Sequence, residues 1–356
     1  MKKIAVGLSG GVDSALAAAL LKEQGYDLLG IHIHLWSERN CNRCCGNKLL
    51  TAARQTAELL GIPFYEIDLK KEFKAKVVDN FIKEYRLGRT PNPCILCNKF
   101  IRFGQLLEIV NKRFGCDYLA TGHYARIVKT SCKRSYHLLR AKDLSKDQSY
   151  FLYSLDQKQL SQLIFPLGEW HKEKVWQEAK KRQLPAAESP ESFDLCFTDN
   201  LENFLQRQLK PKPGEVIVQA GEVIGQHKGL PFYTFGQSGG WQWLPQAQKK
   251  LSQTGKLPKF YVVAKDMKKN QLIVGGKITA SSKVFSIREL LITDYCLPTT
   301  KLFVKIRNTG KLLPCQLKDN QVILDKPAFA VAPGQSAGFY RKFKDDYEVI
   351  GGGIIN

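Results

Sequence analysis

Close to its start the chain reads Ile4-Ala5-Val6, then Gly7-Leu8-Ser9-Gly10-Gly11-Val12-Asp13-Ser14, then an apolar run from Ala15 to Leu21. An apolar strand that breaks into glycines and serines and resumes as a helix presents backbone amides at a helix N-terminus, a ready site for phosphate. Gly10 and Gly11 let the main chain approach an anion without a Cβ in the way. Ser9 and Ser14 add hydroxyl donors, and Asp13 can orient the loop or help hold a Mg²⁺ that accompanies the phosphates. The loop lacks the Lys-Ser/Thr ending with which a P-loop reaches the β- and γ-phosphates, so kinase and GTPase chemistry is disfavoured. A plain glycine turn before an amphipathic helix would explain two glycines, but not the serines, the Asp and the preceding strand together.

The same loop resembles the S-G-G-x-D-S loop of the ATP pyrophosphatases, which grip the pyrophosphate and leave the α-phosphorus open to attack. That resemblance implies release of pyrophosphate and an adenylated substrate, and says nothing about which substrate.

Up to about residue 205 the hydrophobic pattern alternates: strands at 4–8, 28–34, 63–68 and 117–122, helices at 13–24, 47–60, 71–86 and 99–113. This predicts an α/β fold with a doubly wound parallel sheet. In such sheets the ligand sits beyond the carboxyl ends of the strands. Ser9 to Ser14, Ile33 and Thr121-Gly122-His123 should therefore converge, with an adenine ring on Ile33 and the Gly122 backbone. His123 reads either as a general base or as a structural hydrogen-bonder at a strand end. His32 and His34 face one side of their strand, where a metal pair competes with ordinary placement. Helical signals follow at 155–163 and 171–183, and Leu184 to Ser192 reads as a mobile, proline-containing loop.

Beyond Pro211-Lys212-Pro213-Gly214, glycines punctuate short strands such as Glu215–Gln219 and Lys259–Ala264, the pattern of a small β-rich module. From about 278 the chain reads as strands only, near 283–287, 302–306, 312–317, 321–324, 336–340 and 348–350, a spacing suited to a small antiparallel β-barrel. The expected domains are 1–208, 209–277 and 278–356.

With 54 basic and 33 acidic residues the net charge is +21, more than solubility needs; charge alone suits a polyanionic partner such as nucleic acid and a general lysine bias about equally. No stretch approaches the ~20 apolar residues of a membrane span, and Met1-Lys2-Lys3 enters the first strand directly, so no signal peptide, no membrane and a cytoplasmic location are expected. In such a setting the ten cysteines point to metal or sulfur chemistry before structural disulfides.

Two cysteine stretches carry the chemistry. One is Gly88-Arg89-Thr90-Pro91-Asn92-Pro93-Cys94-Ile95-Leu96-Cys97-Asn98-Lys99, a proline-stiffened loop feeding a helix; the other is Asp194-Leu195-Cys196-Phe197. A thiol near a helix N-terminus, with Arg89, Lys99 and Arg102 nearby, is expected to have a lowered pKa, which makes Cys97 a candidate nucleophile. Cys41, Cys44 and Cys45 lie between the second strand and its helix, as a metal site lacking an evident fourth ligand, a relay thiol or an incidental disulfide. Cys116, Cys132, Cys296 and Cys315 sit in apolar or strand contexts and read as packing residues.

Together with A-T-G-H-Y at 120–124, K-D-Q-S-Y-F at 146–151, P-G-Q-S-A at 333–337 and the terminal G-G-G-I-I, these residues make the chain resemble the bacterial tRNA-specific 2-thiouridylases over nearly its whole length. The resemblance implies a pyrophosphatase-type domain, a small central domain and a C-terminal barrel acting on the wobble uridine, U34, of tRNAs for Lys, Glu and Gln. ATP would adenylate O2 of the uracil, a persulfide on Cys196 would attack C2, and Cys97 would attack the persulfide, closing a Cys97–Cys196 disulfide. Sulfur would come from a separate donor protein. By motif, Gly7, Leu8, Ser9, Gly10, Gly11, Val12, Asp13, Ser14, Ile33 and Gly122 would bind ATP. Asn92, Pro93 and Cys94 would meet the target base, while Lys146, Asp147, Gln148, Arg307 and Asn308 would touch tRNA.

One position departs from the family pattern: Cys94 stands where many members have Asp in N-P-D-x-x-C, which puts any acid or base role of that Asp in doubt. Cys94, Cys97 and Cys196 also make three thiolates, enough to hold a [4Fe–4S] cluster with one iron open to carry sulfide, as related thiolases do, and the C-x-x-C spacing suits two ligands of one centre. Persulfide and cluster routes both stay open at this point. Two other classes compete: an adenylating enzyme that passes nitrogen, which has no need of a thiol pair, and a tRNA-binding scaffold without chemistry, which has no need of thiols beside a nucleotide loop.

Overall fold

The computed structural model of the chain describes residues 2–37, 47–130, 136–188, 195–252, 257–292 and 301–356. Cys41, Cys44, Cys45, Cys132, Cys296 and Asp194, and residues 189–192 of the expected loop from Leu184 to Ser192, lie outside the described residues.

The N-terminal part is built on β1 (Lys3–Gly7), β2 (Asp27–His34), β3 (Phe64–Asp68), β4 (Tyr118–Ala120), the hairpin β5 (Ala125–Lys129) and β6 (Tyr136–Arg140), and β7 (Leu163–Ile164). Five of these form a parallel sheet in the order β3-β2-β1-β4-β7. The order reverses beside β1, between β2 on one side and β4 on the other, and a doubly wound sheet leaves its ligand crevice at that point. Ile4, Ala5 and Val6 are fully buried, since both sheet faces are covered by helices. Helix α1 (Val12–Glu23) buries Ala15 to Ala19, whose small side chains let it lie close to the strands, and α2 (Asn47–Leu59) follows β2.

The expected helix at 155–163 is shorter than its pattern suggested. Asp156 and Gln159 close a capping box around Gln157–Leu160 alone, and Leu163-Ile164 is drawn into the sheet beside β4. Burial of that apolar pair against Leu119 and Ala120 decides its conformation, a tertiary effect that helical spacing does not report. The first part of the expected 184–192 loop is a helical turn, Pro185–Glu188.

The central part is a five-stranded sheet of β8 (Gly214–Val218), β9 (Val223–His227), β10 (Gln242–Trp243), β11 (Tyr261–Asp266) and β12 (Gln271–Gly275). The C-terminal part is a closed antiparallel barrel of β13 (Ser281–Ile292), β14 (Leu302–Lys305), β15 (Leu313–Lys318), β16 (Gln321–Phe329), β17 (Ser336–Phe343) and β18 (Asp346–Ile355), closed by pairing of β13 with β18.

The β5–β6 hairpin, absent from the sequence reading, adds to the barrel rather than to the parallel sheet: β6 pairs with β18. Arg126 and Arg140 both bind Asp346, and the His137 Nδ1 atom lies 2.6 Å from Glu348. Tyr150 donates to the Ser336 carbonyl at 2.8 Å, and Gly338 and Gly352 leave room for the rings of Tyr150 and Tyr153. K-D-Q-S-Y-F, P-G-Q-S-A and the terminal glycines thus pack on one another and fix the barrel beside the nucleotide loop. Among the described residues no helix is long and apolar enough to cross a membrane.

Candidate active site

The carboxyl ends of β1 and β4 open into a cavity of about 520 Å³ whose wall runs from the glycine loop to the cysteines. At one end stand Gly7, Ser9, Gly11, Val12, Asp13 and Ser14, with Gly122 beside them. The loop is organised by its own side chains. Ser14 Oγ donates to the Gly11 carbonyl at 2.8 Å and accepts from the Ser9 amide at 3.2 Å, while the two serine hydroxyls lie 3.1 Å apart. At Gly122 a Cβ would come within 2.7 to 2.9 Å of the Asp13 carbonyl and the Ser14 amide, so only glycine lets β4 close against the loop.

Asp13 faces inward, but its oxygens are engaged. Lys172 Nζ donates to them at 2.7 and 2.8 Å, and the Tyr124 hydroxyl donates at 2.7 Å. Lys172 and Tyr124 thus hold the Asp13 carboxylate in place beside the loop. Lys172 is only 8% exposed and its ammonium sits over the rings of Trp176 and Tyr124. Neither partner was singled out from the sequence. Lys172 lies in an ordinary amphipathic helix, and the one available signal was A-T-G-H-Y, where Tyr124 follows the nucleotide-contacting strand end.

At the other end the cavity is lined by Pro93, Cys94, Cys97, Arg102, Cys196 and Asn98, against apolar walls from Phe73, Val77, Phe151 and Phe197. Asn92 caps the helix that begins at Pro93, its Oδ1 accepting from the Cys94 amide at 3.2 Å. The helix then widens to π geometry over Cys97–Leu106, a distortion often found at functional sites. Cys94, Cys97 and Cys196 are not joined in a disulfide, and Cys97 is the most enclosed of the three.

The expected lowering of the Cys97 pKa is not what the structure gives. Burial pushes this thiol up to about 11; Arg102 opposes the rise through its charge and a hydrogen bond, and Cys196 adds to it. Of the three cations expected nearby, Arg89 is paired with Glu84 and Lys99 lies over the Phe100 ring, so desolvation outweighs the one guanidinium that reaches the sulfur. Arg102 in turn feels the charges of Cys97, Cys196 and Cys94 together.

His123 also lines the cavity, packed between Phe103 and Phe165 with Nδ1 2.7 Å from the Thr121 hydroxyl. Burial, with help from Arg102, pushes its pKa down to about 3, which suits a neutral hydrogen-bonder. His32 and His34 are placed by the Leu8 carbonyl and by Glu66, each at 2.9 Å. Among the described residues no three His, Cys, Asp or Glu side chains are grouped to hold a metal. Cys94, Cys97 and Cys196 line one wall of the cavity, and the charges of all three reach Arg102.

A third part of the wall holds Ser145, Lys146, Gln148 and Asn308, the last contributed by the barrel. The Asn308 Oδ1 is buried without a protein partner. Six of the sequence candidates do not line the cavity. Leu8 is a core residue, Gly10 packs against the Leu49 backbone, and Ile33 joins the main core beside β3. Asn92 is the cap, and Arg307 is exposed and donates to the Phe329 carbonyl at 2.9 Å. Asp147 is 4% exposed, bonded to the Ala141 and Ser149 amides and ion-paired with Lys305 at 3.1 Å.

Residues 2–200 match the family described as tRNA methyl transferase HUP domain, 202–276 its PRC-barrel domain, and 291–355 the aminomethyltransferase β-barrel domain. A tRNA-specific 2-thiouridylase MnmA of Nostoc sp. is 38% identical over 365 residues, covering 100% of this chain and 99% of the relative. The chain belongs to the tRNA-specific 2-thiouridylase family. A second family member, MnmA 2 of a Thermoanaerobacter species, is 40% identical across 99% of this chain and 97% of its own. Among solved structures, the U34-tRNA thiolase NcsA of Methanococcus maripaludis with its [4Fe–4S] cluster is 24% identical, with a TM-score of 0.35 over 55% of this chain and 60% of that one.

Proposed function

We propose that the protein uses ATP to replace O2 of uridine 34 in tRNA with sulfur, with Cys97 and Cys196 as the sulfur-handling pair. As a 2-thiouridylase family member it is a tRNA sulfurtransferase. The observation that carries the finer reading is that the S-G-G-V-D-S loop, Cys97 and Cys196 line one cavity. The volume of about 520 Å³ is of the size that small-ligand sites take.

Mg-ATP enters with its phosphates at Ser9 to Ser14, and Lys172, buried beside Asp13, supplies positive charge there. The uracil O2 attacks the α-phosphorus and pyrophosphate leaves. A persulfide on Cys196, loaded by a separate donor protein, attacks C2; the O2–C2 bond breaks and AMP departs. The Cys97 thiolate then attacks the Cys196 sulfur, the S–S bond opens toward the base, and the products are 2-thiouridine and a Cys97–Cys196 disulfide, which a dithiol reduces. Arg102 stabilises the thiolate against its apolar surroundings, and Phe73, Val77, Phe151 and Phe197 exclude water. Lys146, Gln148 and Asn308 hold the tRNA side, the tRNAs expected being those for Lys, Glu and Gln. Nitrogen transfer is disfavoured because it leaves the enclosed thiols without a task.

The test is 2-thiouridine, AMP and pyrophosphate measured together with purified tRNA and a sulfide or persulfide donor. One pyrophosphate per 2-thiouridine is expected, and orthophosphate in its place would sink the adenylation step. Iron-dependent activity that is lost in Cys94→Ser as fully as in Cys97→Ser would replace the thiol pair with a cluster.

A further inference from the structure

P-G-Q-S-A at 333–337 marks the family in sequence, and its Pro333-Gly334-Gln335 turn meets the cysteine loop. The helical stretch ending at Arg86 closes with Gly88, whose amide donates to the Tyr85 carbonyl at 3.0 Å. Four residues, Arg89 to Asn92, then lead to the helix that carries Cys94 and Cys97.

Within those four, the backbone of Thr90 is held by the barrel. Its amide donates to the Pro333 carbonyl at 2.8 Å, and its carbonyl accepts from Gln335 Nε2 at 2.8 Å. Gly334 sits between them at φ +91°, where a Cβ would lie 2.9 Å from the Thr90 nitrogen and from the Arg89 Cβ. The turn is itself fixed to the last strand, with Gly334 donating to the Ile355 carbonyl and Ile355 to the Gln335 carbonyl, both at 2.8 Å. The central domain reaches the same spot: the Thr90 hydroxyl lies 3.4 Å from that of Thr234, and Gly88 faces Met267. In the preceding helix, Glu84 binds both Arg89 and the barrel's Arg288, at 3.2 and 2.7 Å.

We propose that the Pro333-Gly334-Gln335 turn positions the cysteine loop, so that the parts of the molecule outside the catalytic domain set where Cys97 stands relative to Cys196. The inference rests on the thiol-pair reading of the site. Pro91 and Pro93 restrict the backbone between Thr90 and Cys94, so a shift at Thr90 is carried along the loop rather than absorbed in it. Misplacement of a reacting group by about 1 Å costs roughly a hundredfold in rate. Gly334 touches no reacting atom; it acts through the Thr90 backbone.

The experiment uses the full chain with Gly334→Ala and, as a change confined to one side chain, Gln335→Glu, which replaces the donor to Thr90 with an acceptor. Expected for Gly334→Ala is a fall in single-turnover thiolation of about ten- to a hundredfold, with tRNA and ATP affinities within about twofold of the parent. The readout specific to positioning is the Cys97–Cys196 disulfide equilibrium in a dithiol buffer without tRNA, which should shift about tenfold toward the dithiol. Gln335→Glu should move both in the same direction by less, and it carries the test if Gly334→Ala does not fold. Parental rates and disulfide equilibrium in a folded Gly334→Ala protein overturn the proposal. So does a loss confined to tRNA affinity. A parent that forms the disulfide but never makes 2-thiouridine refutes the functional reading instead, and the equilibrium still reports on the turn.

Discussion

The two ends of the cavity are built on opposite physical plans. The nucleotide end is assembled mainly from one short stretch, Gly7 to Ser14, whose polar groups bond one another, Ser9 with Ser14 and Ser14 with Gly11, and its carboxylate is matched by Lys172 and Tyr124. The sulfur end is assembled from segments about a hundred residues apart, in apolar surroundings that hold the Cys97 thiol protonated despite Arg102. One end is preorganised for an anion before it arrives. In the proposed reaction the other end keeps the Cys97 thiol protonated, and so shielded from stray oxidation, until a substrate or persulfide changes its surroundings.

If the ends work as separate machines, the largest effects should fall on one product only. Cys97→Ser and Cys196→Ser should abolish 2-thiouridine while still releasing pyrophosphate in the presence of tRNA, and Cys94→Ser should keep substantial thiolation. Loss of pyrophosphate release in the serine variants would merge the two ends into one. Next, Asp13→Ala and Lys172→Met should lower tRNA-dependent pyrophosphate release by about 10²- to 10³-fold, the scale of removing one preorganised electrostatic group, without moving the thiol–disulfide equilibrium.

Delivery of tRNA belongs to neither end. With a net charge of +21, neutralisation of about four phosphates would make affinity fall roughly a hundredfold when salt is raised fourfold; an affinity flat in salt would remove charge as the delivery force. Smaller again is the effect of Arg102. Alkylation of Cys97 in the resting enzyme should climb with pH toward a midpoint near about 11, because the thiolate is the reactive form. Arg102→Met removes the group that opposes burial, so the midpoint should rise further and labelling at pH 8 should slow by about tenfold for each pKa unit gained. His123, held near 3, should contribute no titration between pH 5 and 8. Asn92→Ala should be the mildest change, about 1 kcal/mol of stability from a lost helix cap, seen as a lower melting temperature with both activities retained.

The parallel sheet, the barrel and the glycine loop were legible because each is written in local periodicity: period-two strands, a 3.6-residue helix and a loop whose function lies in its own backbone. The family resemblance also singled out Cys97 and Cys196, from a C-x-x-C stretch and an isolated D-L-C-F, and the structure brings both to one cavity wall. The sequence did not reveal Lys172 and Tyr124 as partners of Asp13, since their separations of 159 and 111 residues leave no periodic trace. The β5–β6 hairpin and β7 were missed because their edges are fixed by strands far along the chain. The protonation state of Cys97 was decided only in three dimensions. Nearby cations counted along the sequence favour a thiolate, but two of them turn away to Glu84 and Phe100, and the free energy of burying the third group's partner exceeds what one arginine returns. Desolvation depends on everything packed around a group, and that is information a linear sequence holds only through the fold it produces.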